Sequence, residues 1–169
     1  MVSRVGIILS FATVAFMSEA LGEGKDANDE AIRVLVVGNS IVYHPPRPSI
    51  GWTNDWGMAA SSRENDFAHL VAKGIGRNLN RPFVLRIGSA AGLENEFKTK
   101  LDYAKDLESD VAWHPDFVII ALGENVHKFK SKEEENLFGE ALYRFGKTFK
   151  DANPNVRMAY RSVFWGDPV

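Results

Sequence analysis

Three short glycine-containing segments of the sequence have residue types that could carry out acyl transfer. They are Gly38-Asn39-Ser40, Gly88-Ser89-Ala90-Ala91-Gly92 and Gly123-Glu124-Asn125. A hydroxyl nucleophile needs a tight turn that exposes its oxygen, and a neighbouring glycine permits such a turn. It also needs donors for a developing oxyanion, which backbone amides and an asparagine side chain can supply. Ser40 is therefore a candidate nucleophile, and Asn125 is a candidate oxyanion donor.

Each of these segments follows a predicted β-strand. The predicted strands are Ile32 to Val37, Pro82 to Ile87, Asp116 to Leu122 and Val156 to Phe164. Apolar residues recurring at steps of three and four predict three helices between the strands. The first predicted helix runs from Phe67 to Leu79, and the second is indicated by Phe97, Leu101 and Ala104. The third begins at a capping box formed by Ser131 and Glu134 and continues to Phe149.

The alternation of apolar strands with amphipathic helices predicts an α/β fold with a parallel sheet covered on both faces. In open parallel sheets, ligands bind beyond the carboxyl ends of the strands. The three glycine-containing segments are therefore expected at the same edge of the sheet.

The sequence resembles the SGNH, or GDSL-type, hydrolase family. Val36 to Ser40 (VVGNS) is similar to the first block of that family, with Asn39 where many members have Asp. Gly123 to Asn125 is similar to the family's Gly-x-Asn block. Ile50 to Ser61 (IGWTNDWGMAAS) is similar to a subgroup with a Trp- and Gly-rich loop after the nucleophile. The resemblance extends from Ile32 to about Trp165.

The resemblance implies that Ser40 attacks an ester carbonyl, in a reaction that uses no cofactor and no metal. The backbone amide of Ser40 and the side chain of Asn125 would be oxyanion donors. Gly92, or alternatively Gly88, would provide a further donor from the loop after the second strand. The implied fold is a three-layer α/β/α sandwich with a flavodoxin-like strand order.

One block of the family has no counterpart in this sequence. The family's last block is Asp-x-x-His near the C-terminus, whereas here no histidine follows His127. We therefore expect a fold that is incomplete at its C-terminus, from a truncated sequence or a shortened gene. His127 directly follows the Gly-x-Asn block and is the best placed of the histidines, either as a substrate contact or as a base. His44, His69 and His114 are weaker candidates.

Two tryptophans suggest a substrate class. Trp52 and Trp56 lie beside glycines and could stack on a sugar, so that a glycan ester is a possible substrate, with Asn39 as a further contact. Alternatively, the tryptophans form a lid, Ser40 is an N-cap or turn serine, and Asn125 is a loop residue that caps the next element. The alternative function is then a secreted saccharide-binding module without hydrolysis. A phosphate-binding flavodoxin-like protein is disfavoured, because no glycine-rich phosphate motif surrounds Ser40.

The N-terminus has the layout of a secretory signal peptide. Residues 1–20 combine a basic start, an apolar run and small residues suited to cleavage after Ala20. Leu21 to Glu30 is a predicted flexible lead-in, and 31–169 is the hydrolase-like domain. The expected location is secreted or periplasmic, without stable membrane insertion after cleavage. An uncleaved membrane anchor is the alternative, although the apolar run is shorter than the roughly 20 residues that span a bilayer.

The composition excludes several function classes. The 169 residues include 20 basic and 22 acidic side chains, so the basic excess typical of nucleic-acid binding is missing. Cysteine is absent, which rules out disulfides and thiolate metal sites. Glu133 to Glu135 belong to a predicted helix start and do not suggest a metal site.

Overall fold

The computed structural model describes residues 31–126 and 128–163. The predicted signal peptide, the predicted lead-in, His127 and residues 164–169 lie outside the described residues. Within them, no helix combines the length and the apolar composition needed to cross a bilayer.

The described residues form an α/β fold, as the alternation of strands and helices predicts. The strands are β1 (Ile32–Gly38), β2 (Phe83–Gly88), β3 (Phe117–Ala121) and β4 (Arg157–Tyr160). They form one parallel sheet in the order β2-β1-β3-β4, the order that a flavodoxin-like fold has for its first four strands. The prediction of a parallel α/β sheet is therefore confirmed.

In the described part of the chain, four α-helices and two short 3-10 helices connect the strands. The α-helices are α1 (Phe67–Leu79), α2 (Leu93–Glu96), α3 (Glu108–Ala112) and α4 (Lys132–Ala152), and the 3-10 helices are Pro48–Ile50 and Arg63–Asn65. Helix α4 begins as predicted, because the Ser131 hydroxyl accepts a hydrogen bond from the Glu134 amide at 3.2 Å.

The prediction of one helix marked by Phe97, Leu101 and Ala104 is wrong. The chain there leaves α2 and passes through turns before α3 begins. Local hydrogen bonds compete with helix formation in this segment: the Asp102 carboxylate accepts from the Ala104 amide at 3.0 Å, and the Tyr103 hydroxyl donates to the Lys100 carbonyl at 2.9 Å. The apolar spacing reflects loop residues that enter the core rather than a helix face.

The core consists of two clusters formed by alternate side chains of β1. Leu35 and Val37 belong to a cluster that includes Phe145 and Phe149 of α4. Val34 and Val36 belong to the other cluster, which includes Ala68 and Ala72 of α1. Successive side chains of a strand point to opposite faces, so β1 contributes to both clusters. The complete three-layer arrangement remains a prediction.

Candidate active site

The candidate site lies at the carboxyl ends of β1 and β3, where the chain order of the sheet reverses. Gly38 of β1 pairs with Ala121 of β3, so the segments that follow both strands leave the sheet side by side. This is the position at which open α/β sheets place their ligands. The structure therefore brings Asn39 and Ser40 close to the Gly123 to Asn125 segment, as the strand assignments predict.

A buried glutamate, Glu94, connects these segments. It is 6% exposed and lies on α2, in the loop region after β2. One carboxylate oxygen accepts from the Gly123 amide and, at 3.4 Å, from the Asn125 amide. The other oxygen accepts from the side-chain nitrogens of Asn39 and, at 2.8 Å, Asn125. A single carboxyl group thus ties together the loops that follow three strands.

The Glu94 contacts fix the orientation of the candidate oxyanion donor. A carboxylate only accepts hydrogen bonds, so the Asn125 side chain must turn its NH₂ group toward it. That group has two hydrogens, and one of them remains for another acceptor. No recognisable sequence motif marks Glu94, which lies in the short segment Leu93–Glu96.

Ser40 lies in a tight turn directly after β1. The Asn39 carbonyl accepts from the amides of Val42 at 2.7 Å and Tyr43 at 3.0 Å. Glycine is required at position 38, because a Cβ there would lie 2.6 Å from the Ala121 carbonyl oxygen. Among the described residues, nothing hydrogen-bonds to the Ser40 hydroxyl, and this serine caps no helix. The Ser40 hydroxyl therefore makes no N-capping contact, although its place in a turn is what the alternative role as a turn serine expects.

Gly92 lies two residues before Glu94, in the loop after β2. It has a left-handed φ of 68° and precedes α2 as its N-cap residue. Together with Asn39, Glu94 and Asn125, it lines a cavity of about 410 Å³. Three of the predicted site residues thus border one cavity, whereas the alternative donor, Gly88, borders a different one.

The tryptophan-rich loop is attached to the turn that contains Ser40. The Ser40 carbonyl accepts from the Met58 amide at 2.7 Å. Trp52 and Trp56 meet edge to face, with ring centroids 6.1 Å apart. Both indole N–H groups donate to backbone carbonyls at 3.1 Å, and both side chains are half-buried. The two tryptophans therefore stabilise the loop, and Trp56 also lines a cavity of about 400 Å³.

An aspartate–histidine pair borders this second cavity. Asp66 is 2% exposed, caps α1 through the His69 amide at 2.8 Å, and also contacts the His69 ring nitrogen Nδ1 at 2.8 Å. The Gly57 amide donates to the other Asp66 oxygen at 3.3 Å. His69 was a weak candidate in the sequence because it falls within a helix. The parallel topology, however, places the start of α1 at the same edge of the sheet as Ser40.

A second charged contact that no sequence motif marks lies beside Asn125. Glu124 and Arg161 form an ion pair whose side chains are 12% and 14% exposed. The Arg161 guanidinium also lies 5.3 Å from the centre of the Phe67 ring, at the start of α1. The pair joins the end of β4 to the loop after β3, and so supports the backbone that carries Asn125.

Metal ligation is not indicated by the described part of the chain, in which no group of His, Asp and Glu side chains is arranged to hold a metal ion. The predicted substrate contact His127 lies outside the described residues. Comparison with known proteins adds no assignment: no model of a protein family matches the chain, and no curated protein is significantly similar to it.

Proposed function

We propose that this protein is an SGNH-type ester hydrolase with Ser40 as its nucleophile. The observation that carries the proposal is the Glu94 network, which holds the Asn125 side chain next to the turn containing Ser40. The tight turn after β1, the hydroxyl with no partner among the described residues, and the position at the β1–β3 edge support the same assignment.

In the proposed reaction, the Ser40 oxygen attacks the ester carbonyl carbon, and the carbonyl oxygen becomes an oxyanion. The Ser40 amide and the remaining Asn125 hydrogen donate to that oxyanion, with Gly92 as a further donor. The C–O bond to the alcohol then breaks, and the alcohol leaves with the proton lost by Ser40. Water hydrolyses the acyl-serine, which releases the acid and restores the hydroxyl.

The direct test is labelling of the full chain by a fluorophosphonate, followed by intact mass. No histidine hydrogen-bonds to Ser40 within residues 31–126 and 128–163, so we expect slow labelling and long incubations are needed. The Ser40→Ala variant should lose the label. Ser109→Ala, which changes an exposed serine on α3, should keep it. Labelling that persists in Ser40→Ala would refute the nucleophile assignment.

We also propose that the protein is secreted or periplasmic. The support is the three-part pattern of residues 1–20. Expression of the full chain in a bacterial host should yield an exported protein that begins at Leu21. N-terminal sequencing and fractionation check this, and an intact Met1 in the membrane fraction would favour an uncleaved anchor instead.

A second candidate function is a saccharide-binding module that does not hydrolyse its ligand. The observation that favours it is the cavity lined by Trp56 and Tyr43 beside the turn that contains Ser40. This function predicts saccharide binding without any fluorophosphonate labelling. Ser40-dependent labelling would argue against it.

A further inference from the structure

The cavity of about 400 Å³ lies between the tryptophan-rich loop, the start of α1 and the end of β2. Its volume falls within the range of roughly 300–1,000 Å³ that is typical of small-molecule sites. Val42, two residues after Ser40, forms part of its wall. A molecule bound here would therefore lie next to the turn that contains the proposed nucleophile.

Two aromatic side chains give the cavity a surface suited to the apolar face of a sugar ring. Tyr43 is 42% exposed, and Trp56 has its indole N–H bonded to the Ala60 carbonyl. Because that N–H is already satisfied, Trp56 can offer its ring surface to a ligand without an unpaired donor. Aromatic rings of this kind combine a large apolar contact area with a fixed geometry.

Polar groups with unused hydrogen-bonding capacity surround the aromatic side chains. His69 uses Nδ1 to contact Asp66, which leaves Nε2 for a ligand. The Ser89 hydroxyl accepts from the Ala91 amide at 3.0 Å, so its own hydrogen is available to donate. Arg63 contacts Asp55 through one guanidinium nitrogen at 2.5 Å and has further N–H groups.

The charges that border the cavity favour a neutral ligand. Arg63 forms an ion pair with Asp55, and the Asp66 carboxylate contacts the His69 ring nitrogen Nδ1. A phosphate or carboxylate ligand would meet two aspartates, and a cationic ligand would meet an arginine. A neutral polyol suits paired charges, because it can donate to a carboxylate and accept from a guanidinium at the same time.

We propose that this cavity binds the sugar ring of an acylated sugar. The ring stacks on Tyr43 and Trp56, and a hydroxyl bonds to Nε2 of His69. This assignment rests on the proposed function for its link to catalysis, since it names the substrate class of the Ser40 site. It makes no use of Trp52, which holds the loop through the His44 carbonyl.

The test is a titration of the full-length Ser40→Ala protein with methyl glycosides, in which binding is measured by NMR from changes in amide chemical shifts. The glycosides are those of glucose, galactose, mannose, xylose and N-acetylglucosamine. We expect at least one glycoside to bind with a roughly millimolar dissociation constant. Tyr43→Ala and His69→Gln should each weaken that binding by roughly tenfold, as expected for one lost ring contact or hydrogen bond. Tyr143→Ala, which removes an exposed tyrosine on α4, is the matched control and should bind normally.

The outcomes separate this proposal from the proposed function. If none of the glycosides shifts any amide signal, or if both variants bind as tightly as the parent, the sugar site is overturned. Ser40 labelling without glycoside binding overturns the sugar site and leaves the hydrolase. Glycoside binding that depends on Tyr43 and His69, without Ser40 labelling, supports the sugar site and overturns the hydrolase. Melting curves show whether His69→Gln remains folded.

Discussion

Glu94 is the residue on which the candidate site depends most strongly. Its two oxygens accept from four nitrogens, none of which belongs to a cationic side chain. An ionised carboxylate is costly to bury, and hydrogen bonds to otherwise neutral donors are one way to offset that cost. The same arrangement prevents the Asn125 amide from rotating, because an acceptor-only group requires the NH₂ end to face it.

We predict that Glu94→Gln destabilises the fold and impairs the site. The glutamine NH₂ group would face the NH₂ groups of Asn39 and Asn125, which leaves donors unpaired unless those amides rotate. The expected loss is about 1–3 kcal/mol of unfolding free energy. Fluorophosphonate labelling of Ser40 should slow as well, because Asn125 loses its fixed orientation. Urea unfolding and labelling rates measure the two effects.

The control for that prediction is Glu96→Gln on the same short helix. Glu96 is exposed and lies 3.7 Å from Lys100, so its replacement should change stability by no more than about 0.5 kcal/mol. Equal stabilities for the Glu94 and Glu96 variants would show that the Glu94 hydrogen bonds do not support the loops.

Helix α1 contains two glycines with opposite surroundings. A Cβ on Gly74 would meet no atom within 4 Å, so Gly74→Ala should stabilise the protein by about 0.5–1 kcal/mol through the better helix propensity of alanine. A Cβ on Gly76 would lie 2.7 Å from the Phe83 ring and 3.1 Å from the Arg81 carbonyl oxygen. Gly76→Ala should therefore cost about 1–3 kcal/mol, because the helix must move away from β2. Thermal unfolding of both variants tests the packing of α1, and a gain from Gly76→Ala would contradict it.

The start of α4 should give the protein part of its acid sensitivity. Hydrogen bonds from the Lys98 ammonium and the Lys130 amide hold the pKa of Glu134 below its ordinary value. A lowered carboxyl pKa adds stability that is complete above the unfolded pKa of about 4.3 and is lost as pH falls through the folded pKa. The stability difference between wild type and Glu134→Gln should therefore shrink as pH falls below about 4.3. Urea midpoints across this range measure it, and a difference that does not change with pH would contradict the role of these hydrogen bonds.

The sequence predicts elements better than it predicts the contacts between them. The strands were recognisable because β-branched, apolar runs such as that of β1 have few alternative structures. The prediction of a helix around Leu101 is wrong because apolar spacing cannot distinguish a helix from a loop that inserts Phe97 and Tyr103 into the core. Glu94 and Arg161 went unnoticed for a related reason: their partners are distant in the chain and depend on the strand order.

Strand order also explains how one edge of the sheet comes to hold Ser40, Glu94 and Asn125. The turn with Ser40 follows β1, Glu94 follows β2 and Asn125 follows β3, and all three strands run in the same direction. Helix α1 begins at that edge before it runs back across the sheet, so His69 in its first turn lies there as well. Arg161, directly after β4, connects the end of that strand to the same edge through its ion pair with Glu124. Each residue type alone is commonplace, and the parallel sheet is what places them together.

The same sheet predicts an uneven pattern of amide hydrogen exchange. Strands β1 and β3 each have two neighbours, so their amides should exchange only through openings close in free energy to global unfolding. In β4, the Arg157 amide donates to the Asp116 carbonyl of the segment leading into β3, and Arg161 just after the strand donates to Ile120, both at 2.9 Å. The amides of Met158 and Tyr160 alternate with these and point away from β3.

We therefore expect Met158 and Tyr160 to exchange much faster than Arg157 and Arg161, which exchange measured by amide NMR would show residue by residue. Among the described residues no strand pairs with the outer side of β4, and slow exchange at Met158 and Tyr160 would contradict an open edge there. It would mean that a further strand pairs with β4 in solution. Dilution then separates the two sources of such a strand: protection lost at low protein concentration comes from a second copy, because association depends on concentration. Protection that survives dilution comes from this chain.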